Sequence, residues 1–433
     1  MTPSHDPNSI AGCVLDTFDT LQPRYKPRTL PHRQREWVPL AGIVLSRGHV
    51  PDASTKTLTC AALATGMKCL PQSKVTLAEG NVLHDWHAEV LAIRAFNTWL
   101  VGECADLARR GSGSDGAWLR WSALAGEHAV GSEEGGDTGS QKELPTTGEG
   151  RIHEPRFALK DNVSIHMYCS EAPCGDASME LTMAEQDDAT PWVKQPAISP
   201  ETGEMEMLGR GNFDRLGIVR RKPARPDAPL SWSKSCTDKM ALKQCTGLLS
   251  GLTSLLIHPK NVYLLTLVLP ESQCVPHAVE RAFGANGRMA PMVGKQWSSH
   301  GYAFKPFEVH TTSREFAYSR RGTTSLPTPS NLSCLYTHNR QEVLINGALQ
   351  GRKQFDPRGA SSTSRRTMWK SVLDVAILAG LPALERVLRK RCYADVKKSD
   401  ELQSREMVKR NTKDQALKGW KQNTGDDGWD LQG

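Results

Sequence analysis

The segment from His84 to Arg94 constrains the fold of this chain more than any other stretch. It reads His-Asp-Trp-His-Ala-Glu-Val-Leu-Ala-Ile-Arg, so an imidazole, His87, and a carboxylate, Glu89, stand two residues apart where an apolar run begins. The spacing of the apolar residues is helical rather than alternating and predicts a helix over 86–102. A histidine and a glutamate fixed at a helix start are half of what a zinc-dependent hydrolytic site needs.

Two cysteines in polar turns supply candidates for the other half. Cys174 lies in Pro-Cys-Gly-Asp, between a predicted strand and a predicted helix, and Cys236 lies in Ser-Cys-Thr-Asp-Lys. Zinc binds imidazole and thiolate tetrahedrally, and a catalytic site keeps one of four positions for water. We therefore predict one zinc ion per chain, held by His87, Cys174 and Cys236, with Glu89 as a proton shuttle that does not ligate the metal.

Each of these motifs also has an ordinary structural interpretation. His87 could cap a helix, Glu89 could be a solvated first-turn carboxylate, and Cys174 and Cys236 could be core thiols. Short motifs carry a real risk of false matches. The occurrence of all three, in this order, favours the metal site.

The rest of the chain alternates strand-like and helix-like segments, which predicts an α/β class. We interpret residues 1–433 as a single domain with its core at about 37–425, and the Gly-, Ser-, Glu- and Thr-rich residues 111–150 as a flexible insertion. Further strands are predicted at 36–45, 57–64, 163–169 and 262–269, with a hairpin at 334–337 and 342–347. Further helices are predicted at 14–21, 176–181, 240–256, 369–379, 383–391 and 399–420.

Charge and cysteine content limit the binding partners and the cellular compartment that we expect for the protein. The formal net charge of +7 suits a polyanionic partner, although many proteins this basic never bind nucleic acid. Eleven cysteines, no secretory signal pattern and no apolar run near 18 residues predict a reducing compartment. We expect an intracellular protein of the nucleus or the cytoplasm, neither secreted nor bound to a membrane.

The motifs together resemble a known group of enzymes. His87-Ala88-Glu89 with Pro173-Cys174 resembles the cytidine-deaminase-like superfamily, but the usual second cysteine three positions after the first is replaced by Ala177. Ser-Cys-Thr-Asp-Lys around Cys236 is similar to the branch formed by adenosine deaminases acting on RNA and their tRNA-specific relatives. In patches, the resemblance covers residues from about 37 to 420. It implies a cytidine-deaminase-like central mixed sheet flanked by helices, with a C-terminal helical extension.

This resemblance implies zinc-dependent hydrolytic deamination of adenosine to inosine in tRNA, at position 37 of alanine tRNA, with no protein partner required by the sequence. Residues 209–212 and the basic run 220–225 are similar to the substrate-side loop of the tRNA-specific branch. The candidate RNA contacts are Lys68, Arg210, Arg220, Arg221, Lys222 and Arg225. Three alternatives stay open: a deaminase of double-stranded RNA, an inactive RNA-binding or scaffold relative, and a basic run that is only a solvated loop.

The resemblance also implies a buried inositol hexakisphosphate behind the active site, which would explain cations inside a helical core. The matching positions depart from the family pattern at Ile93, Leu242 and Lys243, where editing relatives have an arginine and an Arg-Trp pair. The predicted ligands of the inositol phosphate are Arg94, Lys239, Tyr393, Lys397 and Trp420.

Overall fold

An eight-stranded mixed sheet forms the centre of the structure, a computed structural model, and confirms the predicted α/β class. The order of its strands is β11-β8-β6-β2-β3-β13-β14-β15, with β6, β8 and β11 parallel and the other neighbours antiparallel. The structure describes residues 6–29, 35–48, 58–122, 155–185, 215–222, 228–297, 301–322 and 328–431.

The strands and helices have the following bounds. The strands are β1 (Glu36–Trp37), β2 (Leu40–Arg47), β3 (Leu58–Thr65), β4 (Leu119–Trp121), β5 (Phe157–Leu159), β6 (Val163–Cys169), β7 (Ile257–His258), β8 (Leu264–Pro270), β9 (Gln296–Trp297), β10 (Tyr302–Ala303), β11 (Glu308–Thr312), β12 (Thr328–Pro329), β13 (Leu332–Thr337), β14 (Arg340–Ile345) and β15 (Ala348–Leu349). The α-helices are α1 (Pro7–Asp19), α2 (Ala88–Arg110), α3 (Met179–Ala184), α4 (Cys236–Thr246), α5 (Pro276–Phe283), α6 (Arg365–Leu378), α7 (Pro382–Leu388), α8 (Tyr393–Lys397) and α9 (Asp400–Gln415).

Helices cover both faces of the sheet because its central strands are apolar on both sides. In β2, Ile43 and Leu45 face the larger core that α2 shares, whereas Leu40 and Val44 face the smaller core under α1. Successive strand residues point to opposite faces, so one short segment serves both cores.

One edge of the sheet collects the chain segments that carry the predicted site. The start of β2, the end of β3 and the end of β6 meet there, since Ala41 lies opposite both Ala64 and Cys169. The loop after β3 then leads into α2, and the amide of Ala88 donates to the carbonyl of Gly66 at 2.9 Å. This edge therefore brings the start of α2 next to the turn that follows β6.

The helix predicted at 240–256 is wrong in extent, because α4 ends at Thr246. Gly247 adopts a left-handed conformation, with φ of +63°. Glycine adopts this conformation easily because it has no side chain. The carbonyls on either side of Gly247 bond to side chains instead of helix amides: Arg405 donates to Thr246 and Leu249, and Lys243 to Leu249. A buried arginine and a half-buried lysine thus take the place of the next helical turn.

Smaller boundary errors have local causes. Pro39 separates β1 from β2, so the strand predicted at 36–45 is two strands, and α1 begins at Pro7 because Asp6 caps it. The hairpin turn is shorter than predicted, since Thr337 pairs with Arg340. The helix predicted at 399–420 corresponds to α9 alone, which ends at Gln415.

The predicted insertion begins later than residue 111. Residues 111–122 belong to the fold, because β4 pairs with β5 and Leu119 is fully buried in the core. The ring of Trp118 contacts Trp99 edge-on and lies 4.4 Å from the guanidinium of Arg47. Residues 123–150, the remainder of that prediction, lie outside the described residues, as do residues 151–154. Within the described ranges, no helix has the length and apolarity to cross a membrane.

Candidate metal centre and active site

The structure brings the three predicted zinc ligands together. One ligand atom from each of His87, Cys174 and Cys236 lies within 4.8 Å of the other two. His87 is the N-cap residue of α2, Cys236 is the first residue of α4, and Cys174 follows β6. Their positions at the ends of rigid elements fix the three side chains from three separate parts of the chain.

The two cysteine turns interlock directly. Gly175, with φ of +114°, lies so close to Ser235 that a Cβ on the glycine would be 2.4 Å from the serine hydroxyl. The amide of Thr237 donates to the carbonyl of Cys174 at 3.0 Å, and the amide of Cys236 donates to its sulfur at 3.3 Å. A glycine at position 175 is therefore required for the two sulfurs to approach.

Glu89 lies beside this cluster without being counted among its three ligand residues. Its side chain is buried, with Oε2 3.3 Å from the sulfur of Cys236, and burial raises the pKa of the carboxyl group. The pKa of the Cys174 thiol is instead well below its ordinary value, because Cys236 hydrogen-bonds to it and the cation of Lys222 lies nearby. Burial raises the pKa of the Cys236 thiol, the sulfur that Glu89 contacts, well above its ordinary value, so the two thiols differ in how readily they lose a proton.

A buried ionic network, absent from the sequence-based prediction, supports the ligands from behind. Asp85 accepts hydrogen bonds from Lys222 at 2.8 Å, from Lys239, and from the amide of His87 at 3.0 Å. Although burial opposes ionisation, the two ammonium groups hold the pKa of this carboxyl group far below its usual range. Lys222 also lies 3.4 Å from the sulfur of Cys236. The signal for Asp85 was present in the sequence, two residues before His87.

The prediction that Arg220, Arg221 and Lys222 form an exposed phosphate-binding loop is wrong. All three are buried, because their strand-like segment pairs with residues 233–235 through hydrogen bonds from Lys222 to Ser233 and from Ser235 to Arg220. Arg221 donates to the carbonyl of Ser231 at 3.0 Å, and the ammonium group of Lys222 donates to the carboxylate of Asp85. Their charges therefore act inside the protein.

The other predicted RNA contacts have different outcomes. Lys68 is half-buried on the loop between β3 and α2 and hydrogen-bonds to Asn331, so its contact with RNA stays a prediction. Arg210 and Arg225 lie outside the described residues.

The residues predicted to bind inositol phosphate lie around the interior faces of α2, α8 and the C-terminal segment. Burial raises the pKa of the Tyr393 phenol, and Arg365 and Arg94 lie near enough to oppose part of that rise. Lys397 lies 6.0 Å from the Tyr393 ring and pairs with Asp427, and Lys239 pairs with Asp85. The ring of Trp420 lies near the ammonium groups of two further residues, Lys234 at 5.9 Å and Lys413 at 5.4 Å.

Sequence reasoning missed most of this group of cations. Arg405, Lys409 and Lys413 recur every fourth residue along α9 and so share one face of that helix, a spacing readable from the sequence. The remaining members have no comparable pattern in the sequence. The cations missed are Lys234, Lys243, Arg365, Arg405, Lys409 and Lys413.

These cations destabilise one another's charges. Burial, together with Lys239, Arg221 and Lys413, lowers the pKa of Lys234 to about 7. Burial lowers the pKa of Lys409 to about 8, and burial with Arg365 lowers that of Arg94 to about 10. The Nε of Arg94 is buried and has no hydrogen-bond partner among the described residues. Such a group of cations is chemically suited to a polyanion.

Comparison with known proteins gives consistent matches. The family profile described as the adenosine-deaminase (editase) domain matches residues 62–116 and 145–424. The chain is 37% identical over 354 residues to tRNA-specific adenosine deaminase 1 of Schizosaccharomyces pombe, covering 81% of this chain and 80% of that protein.

More distant relatives match over shorter stretches. The protein of the same name from Saccharomyces cerevisiae is 29% identical over 294 residues, covering 65% of this chain and 63% of that protein. Double-stranded RNA-specific editase B2 of Rattus norvegicus is 25% identical over 247 residues, 53% of this chain and 26% of that protein. The chain thus spans less than two thirds of the length of both relatives.

Proposed function

Because the chain belongs to the adenosine-deaminase (editase) domain family, we propose that it deaminates adenosine to inosine in tRNA by hydrolysis. The observation that carries the proposal is the juxtaposition of a buried glutamate, Glu89, with one histidine and two cysteines. An inactive scaffold would not need a carboxyl group of raised pKa at this point. The intact set therefore favours an enzyme over an inactive relative.

The donor set of the site fits zinc. One imidazole nitrogen and two thiolate sulfurs are ligands that zinc prefers, and three protein ligands leave a position for water. His87, Cys174 and Cys236 would hold the ion. When bound, zinc lowers the pKa of water to near neutrality.

Glu89 then has two proton transfers to perform. It accepts a proton from water as the water oxygen bonds to C6 of the purine, and it delivers that proton to N1. It next moves the hydroxyl proton to the C6 amino group, so that the C–N bond breaks and ammonia leaves. Adenosine and water become inosine and ammonia, and Glu89 returns to its starting state. Burial of the carboxyl group assists because the group must bind a proton in mid-reaction.

The substrate assignment to tRNA draws on the names of the relatives that match along most of the chain. Within tRNA we propose position 37 of alanine tRNA, the site that the sequence resemblance implied. The target adenosine must leave its stack to reach a buried carboxyl group, and this rearrangement requires less free energy in an anticodon loop than in a duplex.

The deciding experiment incubates the purified protein with total tRNA and then sequences the tRNA for new inosines. We expect inosine at position 37 of alanine tRNA with the wild-type protein, and formation of inosine about 10²- to 10⁴-fold slower with Glu89→Gln, which keeps the size of the side chain. New inosine at another position would overturn the assignment of the site. No inosine in any tRNA would overturn the proposed activity.

The rival substrate is double-stranded RNA, because one relative is named for it. The same preparation should be offered a long RNA duplex and alanine tRNA at equal nucleotide concentration. We expect tRNA to be deaminated first and to inhibit any reaction on the duplex. Preferential deamination of the duplex would reverse the assignment.

We also propose that this group of buried and half-buried cations binds inositol hexakisphosphate. Support comes from the pKa values of Lys234 and Lys409, which burial and neighbouring cations lower, and from the Nε of Arg94, which has no hydrogen-bond partner among the described residues. The residues that would hold it are the predicted Arg94, Lys239, Tyr393, Lys397 and Trp420, joined by the missed cations Lys234, Arg365, Arg405, Lys409 and Lys413. Ile93, Leu242 and Lys243 depart from the family pattern, but Lys243 still places an amino group near Arg405, with a pKa that burial and Arg405 hold well below its ordinary value.

Extraction tests this second ligand. The purified protein is denatured with acid, and the supernatant is examined for inositol phosphates by anion-exchange chromatography. We expect about one equivalent from the wild type and much less from Lys234→Met, whereas the exposed control Lys370→Met should retain it. Absence of inositol phosphate from the wild-type extract would overturn the proposal without affecting the deaminase assignment.

The cellular setting that we propose is intracellular, in the nucleus or the cytoplasm. All eleven cysteines lie in the described part of the chain, and none forms a disulfide, which agrees with a reducing compartment. Fluorescence microscopy of the tagged protein distinguishes the two compartments, and export from the cell would contradict both.

A further inference from the structure

We propose that Arg281 and Arg288 are positioning residues that hold the two cysteine turns in their metal-binding arrangement, each through an aspartate. This inference rests on the proposed zinc site. The sequence contains the same short pattern twice: Asp176 follows Cys174 by two residues, and Asp238 follows Cys236 by two residues. Both aspartates are fully buried, although neither is a member of the ligand set.

The first aspartate is held from two sides. The Nε of Arg281 donates to Oδ2 of Asp176 at 3.1 Å, and the amide of Gly217 donates to Oδ1 at 2.7 Å. Arg281 also donates to the backbone carbonyl of Asp176 at 2.9 Å, so it grips main chain as well as side chain. The turn that carries Cys174 is therefore fixed two residues beyond its sulfur.

The second aspartate is held in the same way. The Nη1 of Arg288 donates to Oδ1 of Asp238 at 2.6 Å, and the amide of Arg220 donates to Oδ2 at 2.9 Å. The hydroxyl of Ser235 adds a 2.6 Å bond to Oδ2. Each aspartate thus accepts one guanidinium group and one backbone amide.

The partners of the two aspartates come from the same two segments of chain. Arg281 lies on α5, and Arg288 lies in the turn that follows α5 and is joined to it by a 2.9 Å bond from its amide to the carbonyl of Arg281. The Nε of Arg288 also donates to the carbonyl of Ala282 at 2.9 Å. Gly217 and Arg220 are likewise three residues apart in one segment. The same two segments, α5 with its following turn and residues 217–220, therefore contact both cysteine turns.

A buried ion pair of this kind contributes little net stability, because desolvation offsets much of the attraction between the charges. Its more specific effect is on geometry: side chains that orient metal ligands commonly alter metal affinity by about 10- to 100-fold when they are removed. If Arg281 and Arg288 only stabilised the fold, their loss would lower the unfolding temperature without changing how tightly the folded protein retains zinc.

The test measures zinc transfer from the folded protein to a chromophoric chelator, in Arg281→Met and Arg288→Met. We expect about 10- to 100-fold faster transfer in each variant. The matched control is Arg321→Met, which breaks a partly buried pair with Glu171 at 2.7 Å but touches neither aspartate. We expect its transfer rate to equal that of the wild type. Neither RNA nor turnover enters the measurement, so its failure is distinct from failure of the proposed deaminase activity.

Two further measurements keep the proposal open to refutation. Cobalt-substituted protein reports thiolate geometry through its visible spectrum, which should shift in both methionine variants and not in Arg321→Met. Should a methionine variant not fold, the lysine variants Arg281→Lys and Arg288→Lys keep the charge but lose the fork of donors, and we expect an intermediate rate. Wild-type transfer rates and an unshifted spectrum in the folded variants would overturn the proposal.

Discussion

The ammonium group of Lys222 lies 2.8 Å from Oδ2 of Asp85, where only 4% and 3% of the two side chains are exposed. Asp85 in turn accepts the amide hydrogen of His87, and Lys222 lies 3.4 Å from the sulfur of Cys236. One buried lysine thus connects two of the candidate metal ligands through a single carboxylate. The basic run that suggested RNA binding has a structural role here.

Lys222→Met should therefore destabilise the protein and leave its attraction to tRNA phosphates unchanged. We expect the free energy of unfolding to fall by about 1–3 kcal/mol, since Asp85 loses the more deeply buried of its two ammonium partners. Denaturant unfolding measures this loss. In tRNA binding measured over a range of salt concentrations, the slope of log affinity against log salt should match that of the wild type.

Lys68→Ala is the comparison for that slope. Lys68 lies on the loop between β3 and α2. If it contacts a phosphate, loss of that contact would flatten the slope by roughly 0.7–0.9. A flattened slope in Lys222→Met would contradict the buried assignment, because only an ammonium group that reaches phosphate releases counterions.

Separating the metal from the proton shuttle gives the next prediction. Cys236→Ala should lose zinc in metal analysis, since two ligands hold the ion far less well than three. Glu89→Gln should keep zinc but lose deamination by about 10²- to 10⁴-fold, the usual contribution of general acid–base catalysis. Cys245→Ala, which removes another buried thiol from α4, is the control and should keep both properties. Full zinc in Cys236→Ala would refute its assignment as a ligand.

The residues that could be predicted from the sequence are those whose chemistry is local. His87 and Glu89 lie at the start of a helix that the spacing of the apolar residues predicts. The two cysteines lie in turns that separate apolar segments. Their convergence follows from a sheet whose strand ends share one edge. This much depends on residue type and spacing, both of which are visible in a sequence.

The positions of the cations could not be predicted in the same way. A basic run looks identical in sequence whether it is solvated or buried, and only the pairing of residues 220–222 with 233–235 places Lys222 inside. The length of α4 was also not predictable, because Arg405, far along the chain, binds the carbonyl of Thr246 where the helix ends. The burial of Lys222 and the end of α4 both depend on contacts between distant segments, which local periodicity does not reveal.

His84 gives a prediction about pH. Its Nδ1 faces the permanently charged Arg365 at 3.3 Å and its Nε2 lies 2.7 Å from Asp426, so the neutral ring accepts from the arginine and donates to the carboxylate. Burial and then Arg365 lower the pKa of His84 to about 4, from about 6.5 in the unfolded chain. Between these values the unfolded state binds more protons, so stability is lost as the pH falls from about 6.5 to about 4.

Unfolding free energies at several pH values test this assignment. We expect His84→Gln to lose roughly 3 kcal/mol less than the wild type across that window. His310→Gln, at a more exposed strand position, is the control. Identical pH dependence in His84→Gln and the wild type would show that His84 is not the group responsible. The carboxyl group of Asp426 does not interfere, because its stabilising effect is lost only as the pH falls below about 3.8.

The last prediction concerns the predicted insertion, from which the structure removes residues 111–122. Trp121 lies opposite Phe157 in the pairing of β4 with β5, and the amide of Ser122 donates to the carbonyl of Arg156 at 2.8 Å. The two ends are therefore adjacent, and replacing residues 123–154 with a short Gly-Ser linker should change the unfolding free energy by less than about 0.5 kcal/mol, because closing a short loop costs little entropy. Replacing residues 111–154 instead removes β4 and the buried Leu119, for which we expect a loss of about 2–5 kcal/mol. Equal stabilities for the two deletions would show that β4 contributes nothing to the core, and a loss of zinc in the shorter deletion would show that residues 123–154 support the metal site.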